Sequence, residues 1–234
     1  MKAEGLYPPL MVLIVAFNEE EGIGPTIEEL KDRLGPVPIV VVDGYSKDGT
    51  AEIAKSMGAK VLYRERKGKG DALKYALSKM KHDYDYIVLI DADYTYPAEF
   101  LPQMMKTIIE NPMVGMVSGN RFNSHFHTER MNDIYYLGNR LLALAHNLLN
   151  GVKMRDPLTG MRIIRWQILK NWKPRSKGFD IEVEMNYQVE RQGYGISEID
   201  ISYRSRLGEK KLKAHHGFQI LKRMITDTRH NFTS

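Results

Sequence analysis

Three apolar runs, each ending in or followed directly by a polar residue, alternate with helical patterns and constrain the fold of this chain more than any other feature. The runs are Met11 to Phe17, Ile39 to Val42 and Ile87 to Asp93. Continuous apolar runs of this length are typical of strands buried on both faces of a parallel sheet. Helical spacing of apolar residues follows the first run, from Ile23 to Leu34. We therefore expect one α/β domain over residues 1–234, with a doubly wound, mostly parallel, Rossmann-like sheet and helices on both faces.

Composition narrows the classes of partner. The chain has 234 residues, of which 43% are hydrophobic and 27% charged, enough for one α/β domain. A net charge of +5 favours an anionic partner, which could be a nucleotide, a lipid phosphate, a membrane surface or a nucleic acid. The absence of cysteine excludes disulfides, thiolate zinc sites and a cysteine nucleophile. With no apolar run of about 18 residues and no signal peptide, we expect a cytoplasmic chain; contact with a membrane surface stays open.

The third apolar run ends in two carboxylates, Asp91 and Asp93, separated by one alanine. In an open α/β sheet, ligands bind at the carboxyl ends of the strands, so these side chains lie where chemistry is expected. Two hard oxygen ligands suit Mg²⁺ or Mn²⁺, which takes its other ligands from water and substrate phosphates. The alternative is a pair of loop-capping aspartates, and this stretch alone does not decide between them.

Other strand ends bring further polar groups to the same edge. Carboxylates follow the first two runs at Glu19 and Asp43, Arg121 follows a later strand, and Lys69 lies in a basic, glycine-containing loop. A cleft with carboxylates and a rim of cations suits a nucleotide diphosphate. The glycine fingerprint of dinucleotide-binding folds and the Gly-Lys-Ser/Thr phosphate loop are both missing, which argues against hydride transfer and nucleotide hydrolysis by those folds.

The second half of the chain has two amphipathic segments. A long helix from Ile134 carries one apolar stripe, made of Leu137, Leu141, Leu144, Ala145 and Leu148. Such a stripe is more often part of a core than a lipid-facing surface, so we expect it to be buried. The segment 204–234 is a basic amphipathic tail, which either lies on anionic lipid or covers the sheet edge.

Several motifs, in order along the chain, resemble those of family 2 glycosyltransferases of the GT-A fold, and within them the dolichyl-phosphate sugar synthases. Val15-Ala-Phe-Asn-Glu19 resembles the family's P-x-Y-N-E, the segment from Val42 to Thr50 its D-D-G-S-x-D-G-T, and Asp91-Ala-Asp93 its DXD. Four further segments follow in the family's order: Arg66 to Gly70, Gly119 to Arg121, Asp156 to Arg162, and Tyr203 to Arg206. The resemblance covers nearly the whole chain.

The resemblance implies the roles of individual residues. The nucleotide-sugar-binding residues would be Phe17, Glu19, Asp43, Lys69, Asp91, Ala92, Asp93, Arg121, Arg204, Arg206 and Lys211. The catalytic residues would be Asp91, Asp93 and Arg121, and the metal ligands Asp91, Asp93 and Thr95. The chain departs from the family's pattern in having Val15 for a proline, Gly44 for a second aspartate, and Thr95 for a metal-binding glutamine.

The resemblance also implies an activity, which is inverting transfer of one sugar from a nucleotide-diphosphate sugar to dolichyl or polyprenyl phosphate. The Asp43-Gly-Tyr-Ser46 variant and Tyr203-Arg-Ser-Arg206 look most like archaeal enzymes that charge dolichyl phosphate for N-glycosylation, which favours UDP-glucose or UDP-N-acetylglucosamine over GDP-mannose. Two alternatives are a soluble family 2 glycosyltransferase acting on a small phosphorylated acceptor and a basic nucleic-acid-binding module. The aromatic residues do not alternate with the basic ones as a stacking platform requires, so we expect no nucleic-acid partner.

Overall fold

One seven-stranded sheet with helices on both faces makes up the domain. The computed structural model describes residues 7–65, 68–80, 84–122, 134–150, 153–209 and 214–231, leaving aside the side chains at 134–137, 150, 214–216 and 227–231. The strands are β1 (Leu10–Ala16), β2 (Ile39–Asp43), β3 (Lys60–Tyr63), β4 (Tyr86–Asp91), β5 (Val114–Asn120), β6 (Arg162–Arg165) and β7 (Gly195–Asp200). The helices are α1 (Glu20–Leu34), α2 (Thr50–Ser56), α3 (Lys69–Lys79), α4 (Leu101–Glu110, after a 3₁₀ turn at Ala98–Phe100), α5 (Ile134–Asn150), α6 (Trp166–Leu169), α7 (Ile181–Arg191) and α8 (Ala214–Asn231).

The strand order, β3-β2-β1-β4-β6-β5-β7, confirms the predicted α/β class. β1 pairs in parallel with β2 and β4, and β2 with β3, so the carboxyl ends of these four strands meet at one edge. The antiparallel strand β6 lies between β4 and β5, and β7 pairs in parallel with β5. The sequence indicated a strand or extended piece at Met161 to Trp166 without its direction. β6, which is antiparallel to both its neighbours, lies within the sheet and leaves the parallel order of β1 to β4 intact.

The alternation of side chains along β1 divides the core in two. Val12 and Ile14 face one side of the sheet, where they pack with α1 and α4, while Met11 and Leu13 face α3 and α7 on the other side. Because both faces of the central strands are covered, the runs are apolar at every position. The core therefore fixes the strands rigidly and leaves their carboxyl ends to carry polar side chains.

A third layer, formed by α5 and α8, lies outside α7. Val183 and Tyr187 of α7 pack with Ile220 and Met224 of α8, and Leu142, Ala145 and Leu149 of α5 join this cluster. α7 is consequently buried on two sides, between the sheet and the outer helices. None of the helices in the described ranges combines the length and hydropathy needed to cross a bilayer.

The prediction that the α5 stripe is buried is wrong for most of its members. The side chains of Leu141, Leu144 and Leu148 are 67%, 56% and 77% exposed, whereas Ala145 is partly buried; the side chain of Leu137 lies outside the description. Among the α5 side chains that the structure describes, the buried ones are Ala143 and His146 instead. α5 is apolar over more than one face, and helical periodicity alone could not tell which face the rest of the protein covers. On α8, Phe218 and Ile225 are exposed as well, at 74% and 40%.

Candidate active site

The loops after β1 and β2 are held together by side-chain hydrogen bonds to backbone groups. Asn18 N–H donates to Ser46 Oγ at 2.9 Å, and Glu19 N–H donates to Thr50 Oγ1 at 2.8 Å. Asp43 is fully buried and accepts hydrogen bonds from the backbone N–H and hydroxyl of Ser46, at 2.9 and 2.5 Å. The structure thus places Asp43 as the residue that shapes its own loop, with Phe17 packed under Gly44, where a Cβ would come within 3.1 Å of the ring.

Backbone strain is concentrated at this edge. The non-glycine residues with positive φ are Asn18, Tyr45 and Tyr94, at 51°, 58° and 63° in the described part of the chain. Each follows the end of β1, β2 or β4 by two or three residues. Left-handed conformations are unfavourable for tyrosine, and such strain persists only where the surrounding structure imposes it, often at functional sites. The strained positions therefore mark the same edge as the carboxylates.

Asp91, the last residue of β4, is paired with Lys69, which the sequence placed in a loop and which is the first residue of α3. Lys69 Nζ lies 2.6 Å from Asp91 Oδ1 and 2.7 Å from Glu182 Oε1. Burial lowers the pKa of Lys69, but Asp91 and Glu182 raise it by more, so the net pKa is raised. Burial conversely raises the pKa of Asp91, and Lys69 outweighs it, so the net pKa is lowered. Both groups are charged at neutral pH, and Lys69 neutralises the first carboxylate of the pair.

Asp93 is paired with an arginine from the loop after β7. Arg206 Nη1 lies 3.0 Å from Asp93 Oδ2, and its other terminal nitrogen binds Glu19 Oε1. The hydroxyl of Thr95 donates to Asp93 Oδ1 at 2.6 Å, so Thr95 orients Asp93. Burial and repulsion from Asp91 raise the pKa of Asp93, against the opposing effects of Thr95 and Arg206. The second carboxylate therefore favours additional positive charge beside it.

Arg121 contacts a carboxylate to which the sequence analysis assigned no role. Its Nε and Nη2 donate to Asp156 at 2.6 and 2.8 Å, and Asp156 is fully buried. The guanidinium is 5.3 Å from the ring centroid of Tyr203 and 6.0 Å from that of Tyr96. Arg121 also contributes to lowering the pKa of Asp91. It is thus held rigidly by Asp156 and aromatic rings, near enough to Asp91 to stabilise the charged form of that carboxylate.

The remaining predicted residues separate into different places. Arg204 forms a two-pronged ion pair with Glu29 of α1, at 3.0 and 2.6 Å, and stacks on Tyr94. Of these two predicted arginines, Arg206 contacts the carboxylates Asp93 and Glu19, and Arg204 pairs with Glu29 instead. Ala92 is buried between the two aspartates, and Lys211 lies outside the described residues.

Two acidic residues at the site were missed, Asp156 and Glu182. Asp156 stood in a motif quoted for the resemblance but had no partner that the sequence could supply, because Arg121 is 35 residues away. Glu182 lies in Ile-Glu-Val-Glu-Met, where acids alternate with apolar residues at the start of a helix. A helix with a single buried face has apolar residues every three to four positions. Apolar residues at every second position do not fit that pattern, and they could have indicated a helix buried on two sides.

The carboxylate pair fits a divalent cation. Asp91 and Asp93 each bind a cationic side chain here, and burial, followed by repulsion from Asp91, raises the pKa of Asp93. In the described ranges no group of three or more histidine, aspartate or glutamate side chains converges to form a complete protein cage. Mg²⁺ characteristically binds one or two carboxylates and completes its shell with water and phosphate oxygens.

Comparison with known proteins identifies the family. The model of glycosyl transferase family 2 matches residues 11–172. The chain belongs to glycosyl transferase family 2. It is 34% identical to a dolichyl-phosphate hexose transferase of Haloferax volcanii over 92% of this chain and 91% of that protein. It is 28% identical to an undecaprenyl-phosphate mannosyltransferase of Micrococcus luteus over 87% of each. The family resemblance is confirmed, and the protein is a glycosyltransferase.

A solved structure shows the fold to be shared. The glucosyl-3-phosphoglycerate synthase of Mycobacterium tuberculosis, in complex with Mn²⁺, UDP-glucose and phosphoglyceric acid, has a TM-score of 0.74. The alignment covers 94% of the enzyme and 80% of that chain, at 22% identity. The synthase has also been solved with Mg²⁺ and UDP. At this identity the likeness establishes the architecture, and the predicted GT-A-like fold is confirmed.

Proposed function

We propose that the enzyme transfers one hexose from a nucleotide-diphosphate sugar to dolichyl or polyprenyl phosphate, with inversion. The observation that carries the proposal is the Asp91–Asp93 pair, in which Asp91 is half-buried and Asp93 buried, at the carboxyl edge between cationic side chains. Similarity to lipid-phosphate hexosyltransferases over most of the chain supports the acceptor class. The Asp43-Gly-Tyr-Ser46 variant favours UDP-glucose or UDP-N-acetylglucosamine as donor, with GDP-mannose as the alternative.

The chemistry requires alignment and charge stabilisation more than proton transfer. A lipid phosphate is anionic at neutral pH, so it attacks the anomeric carbon without a general base. Asp91 and Asp93 would hold Mg²⁺ or Mn²⁺, which supplies charge neutralisation to a departing diphosphate. Arg206, which contacts Asp93, and Arg121, which acts electrostatically on Asp91, would offset repulsion between the two phosphate-bearing substrates. Asp156 and the surrounding aromatic rings keep Arg121 in that position.

A transfer assay tests the proposal. The enzyme is incubated with Mg²⁺ or Mn²⁺, a panel of UDP- and GDP-sugars and a short polyprenyl phosphate, and the glycolipid is detected by mass spectrometry. We expect a product with at least one donor, loss of that product in EDTA, and a rate at least ~10²-fold lower for Asp93→Asn. Parallel reactions contain phosphoglyceric acid in place of the lipid. Product from that acceptor alone would replace the lipid-phosphate assignment with a soluble sugar transfer.

The exposed face of α5 and α8 supports peripheral placement on an anionic bilayer, which we include in the proposal. Leu141, Leu144 and Leu148 lie three and four residues apart on α5, and the neighbouring helix α8 has two further exposed apolar side chains, Phe218 and Ile225. Exposed Arg140 and Lys222 lie on the same two helices, and the sequence Lys210-Lys-Leu-Lys213 precedes α8. Apolar residues beside basic ones are typical of helices that lie in the interface of anionic membranes. Such a position would bring the enzyme to a lipid-borne acceptor.

A further inference from the structure

Two carboxylates of β7, Glu198 and Asp200, lie beside the loop that carries Asp156. They are two residues apart, so they point to the same face of the strand as Ile196, which packs in the layer of α3 and α7. The side chain of Glu198 is only 9% exposed and that of Asp200 is 34% exposed. Neither residue belongs to the Asp91–Asp93 pair or to a motif of the family resemblance, so their role needs a separate explanation.

Glu198 uses both of its oxygens to hold two consecutive backbone groups. Its Oε2 accepts the N–H of Arg155 and its Oε1 accepts the N–H of Asp156, both at 2.8 Å. The hydrogen bond to Arg155 is exposed to solvent, so water could satisfy that N–H without a carboxylate. Withdrawing a carboxylate from water is unfavourable unless its contacts offset the loss of hydration. What Glu198 adds to solvation by water is a fixed position for the backbone at Asp156.

The position of Asp156 in turn determines the position of Arg121. Asp156 accepts hydrogen bonds from the backbone N–H of Arg121 at 3.1 Å and from its guanidinium at 2.6 and 2.8 Å. A two-pronged arginine–carboxylate pair fixes the orientation of the guanidinium as well as its distance. A shift of the backbone at Asp156 would therefore be transmitted to Arg121.

Asp200 holds the chain around Arg121 more directly. Its Oδ1 accepts a hydrogen bond from the side-chain amide of Asn120 at 2.7 Å and lies 2.8 Å from Nη2 of Arg155. The side-chain oxygen of Asn120 then accepts the N–H of Phe122 at 3.1 Å. The residues before and after Arg121 are thus both tied to β7.

We propose that Glu198 and Asp200 are positioning residues, which act through Asp156 and Asn120 to hold Arg121 in the orientation that binds the acceptor phosphate. The inference rests on the proposed function, in which Arg121 offsets repulsion between the two phosphate-bearing substrates. A guanidinium that binds phosphate through two N–H groups depends strongly on its orientation. An ammonium group depends on it less, because it acts on phosphate as a point charge.

The affinity for the acceptor measures the orientation of Arg121. Calorimetry of the enzyme in Mg²⁺ and a saturating nucleotide diphosphate, UDP or GDP, gives the Kd of a short, water-soluble polyprenyl phosphate. For Glu198→Gln we expect this Kd to rise about 10-fold, because the amide oxygen can accept only one of the two backbone N–H groups and the alignment of Arg121 is lost. The Kd of the nucleotide diphosphate should change less than about 2-fold.

A double-mutant cycle shows whether the effect passes through Arg121. Arg121→Lys retains the positive charge without the two-pronged geometry. In that background Glu198→Gln should change the acceptor Kd by less than about 2-fold, because there is no guanidinium left to orient. A role confined to the stability of the fold would instead give the same fold-change in both backgrounds.

The matched control is Glu184→Gln. Glu184 is similarly buried, and it also holds two consecutive backbone groups, the N–H of Arg175 at 2.8 Å and that of Ser176 at 2.6 Å. These contacts fix the segment before α7 instead of the loop of Asp156. Glu184→Gln should therefore lower the melting temperature and leave the acceptor Kd within about 2-fold of the wild-type value.

The outcomes separate this inference from the proposed function. Should Glu198→Gln fail to fold, Asp200→Asn goes through the same cycle, with a rise in the acceptor Kd expected again. An unchanged acceptor Kd, or an equal rise in the Arg121→Lys background, would overturn the positioning role alone. A wild-type enzyme that binds the nucleotide diphosphate but no polyprenyl phosphate would instead overturn the lipid acceptor of the proposed function, and the positioning role with it.

Discussion

The carboxyl edge of the sheet and the outer α5–α8 layer differ in which side chains they expose to water: charged groups are withdrawn from solvent at the first, and apolar groups face solvent at the second. At the edge, carboxylates that are largely or fully buried lie against cations: Asp91 with Lys69, Asp93 with Arg206, and Asp156 with Arg121. In the outer layer, large apolar side chains face solvent at Leu141, Leu144 and Leu148. Desolvated charge and hydrated leucine are both unfavourable in an isolated protein. Each region would therefore be stabilised by a partner: the carboxyl edge by a charged ligand, and the outer layer by an apolar surface.

The two regions are connected through buried polar groups. Arg162 is 1% exposed and donates to Asn186 Oδ1 at 2.6 Å and to the carbonyl of Pro157 at 2.8 Å. The side-chain nitrogen Nδ2 of Asn186 in turn lies 3.4 Å from Nε2 of His146 on α5. Arg162 thereby supports the loop that carries Asp156 and Gly160, while its partner Asn186 contacts the outer layer. We therefore expect substitutions in the two regions to differ in how much they lower the free energy of unfolding.

Removal of Arg121 should have the largest effect on stability. Arg121→Met leaves the fully buried Asp156 without its cation, and breaking a buried pair in this way lowers the free energy of unfolding by about 3–5 kcal/mol. Denaturant titration measures the loss. The double variant Arg121→Met with Asp156→Asn should recover most of the stability but not the transfer activity, since Arg121 also acts on Asp91.

The matched control is Arg204→Met, which breaks the pair with Glu29. That pair is partly exposed, at 31% and 22% for the two side chains, so the loss should be at most about 1 kcal/mol. Equal losses for the Arg121 and Arg204 variants would contradict the contrast drawn between buried and partly exposed charge.

The pH dependence of His146 should have the next largest effect. Burial lowers the pKa of this histidine to about 4, with Asn147 opposing the shift and Arg162 adding to it. In the unfolded chain this histidine takes up a proton near pH 6.5, but in the folded protein only near pH 4. The contribution of neutral His146 to the free energy of unfolding is therefore complete above pH 6.5 and is lost as the pH falls towards 4. At pH 4 the loss amounts to about 3 kcal/mol.

Comparison with His146→Gln isolates this contribution. The variant retains a side-chain acceptor for Asn186 and does not titrate. From pH 7 to pH 4 the wild type should therefore lose about 3 kcal/mol more than the variant in chemical denaturation, because other groups titrate equally in both. Parallel pH profiles would show that His146 is not buried as a neutral imidazole.

The part of the molecule that sequence analysis predicted well is the part determined by local patterns. The runs that became β1, β2 and β4 are apolar on both faces, and each reveals where a polar residue must follow at the strand end. The sequence pattern alone therefore predicts that Glu19, Asp43, Asp91 and Asp93 lie at one edge of the sheet.

What could not be predicted depends on contacts between distant segments. The four residues of β6 are too few to show their direction, which is set by pairing with β4 and β5. The partners of Arg121 and Lys69 come from loops and helices far along the chain, so both looked like free phosphate ligands. Whether the α5 stripe is buried depends on which face of α5 packs on α7 and α8, and helical periodicity does not specify that face.

Substitutions on the exposed face of α5 should have the smallest effect on stability and a large one on lipid binding. Replacing Leu144 and Leu148 by serine should change the free energy of unfolding by no more than about 0.5 kcal/mol per site, because both side chains face water. If both insert into a bilayer, the pair of changes should weaken binding to phosphatidylglycerol vesicles by roughly 10²-fold, at about 1.5 kcal/mol for each leucine. Serine at Leu142 and Leu149, which pack inward on the same helix, should lower the melting temperature instead. Unchanged co-sedimentation of the Leu144 and Leu148 variant would show that this face does not bind the membrane, and of the two regions compared only the charged edge would then need a ligand.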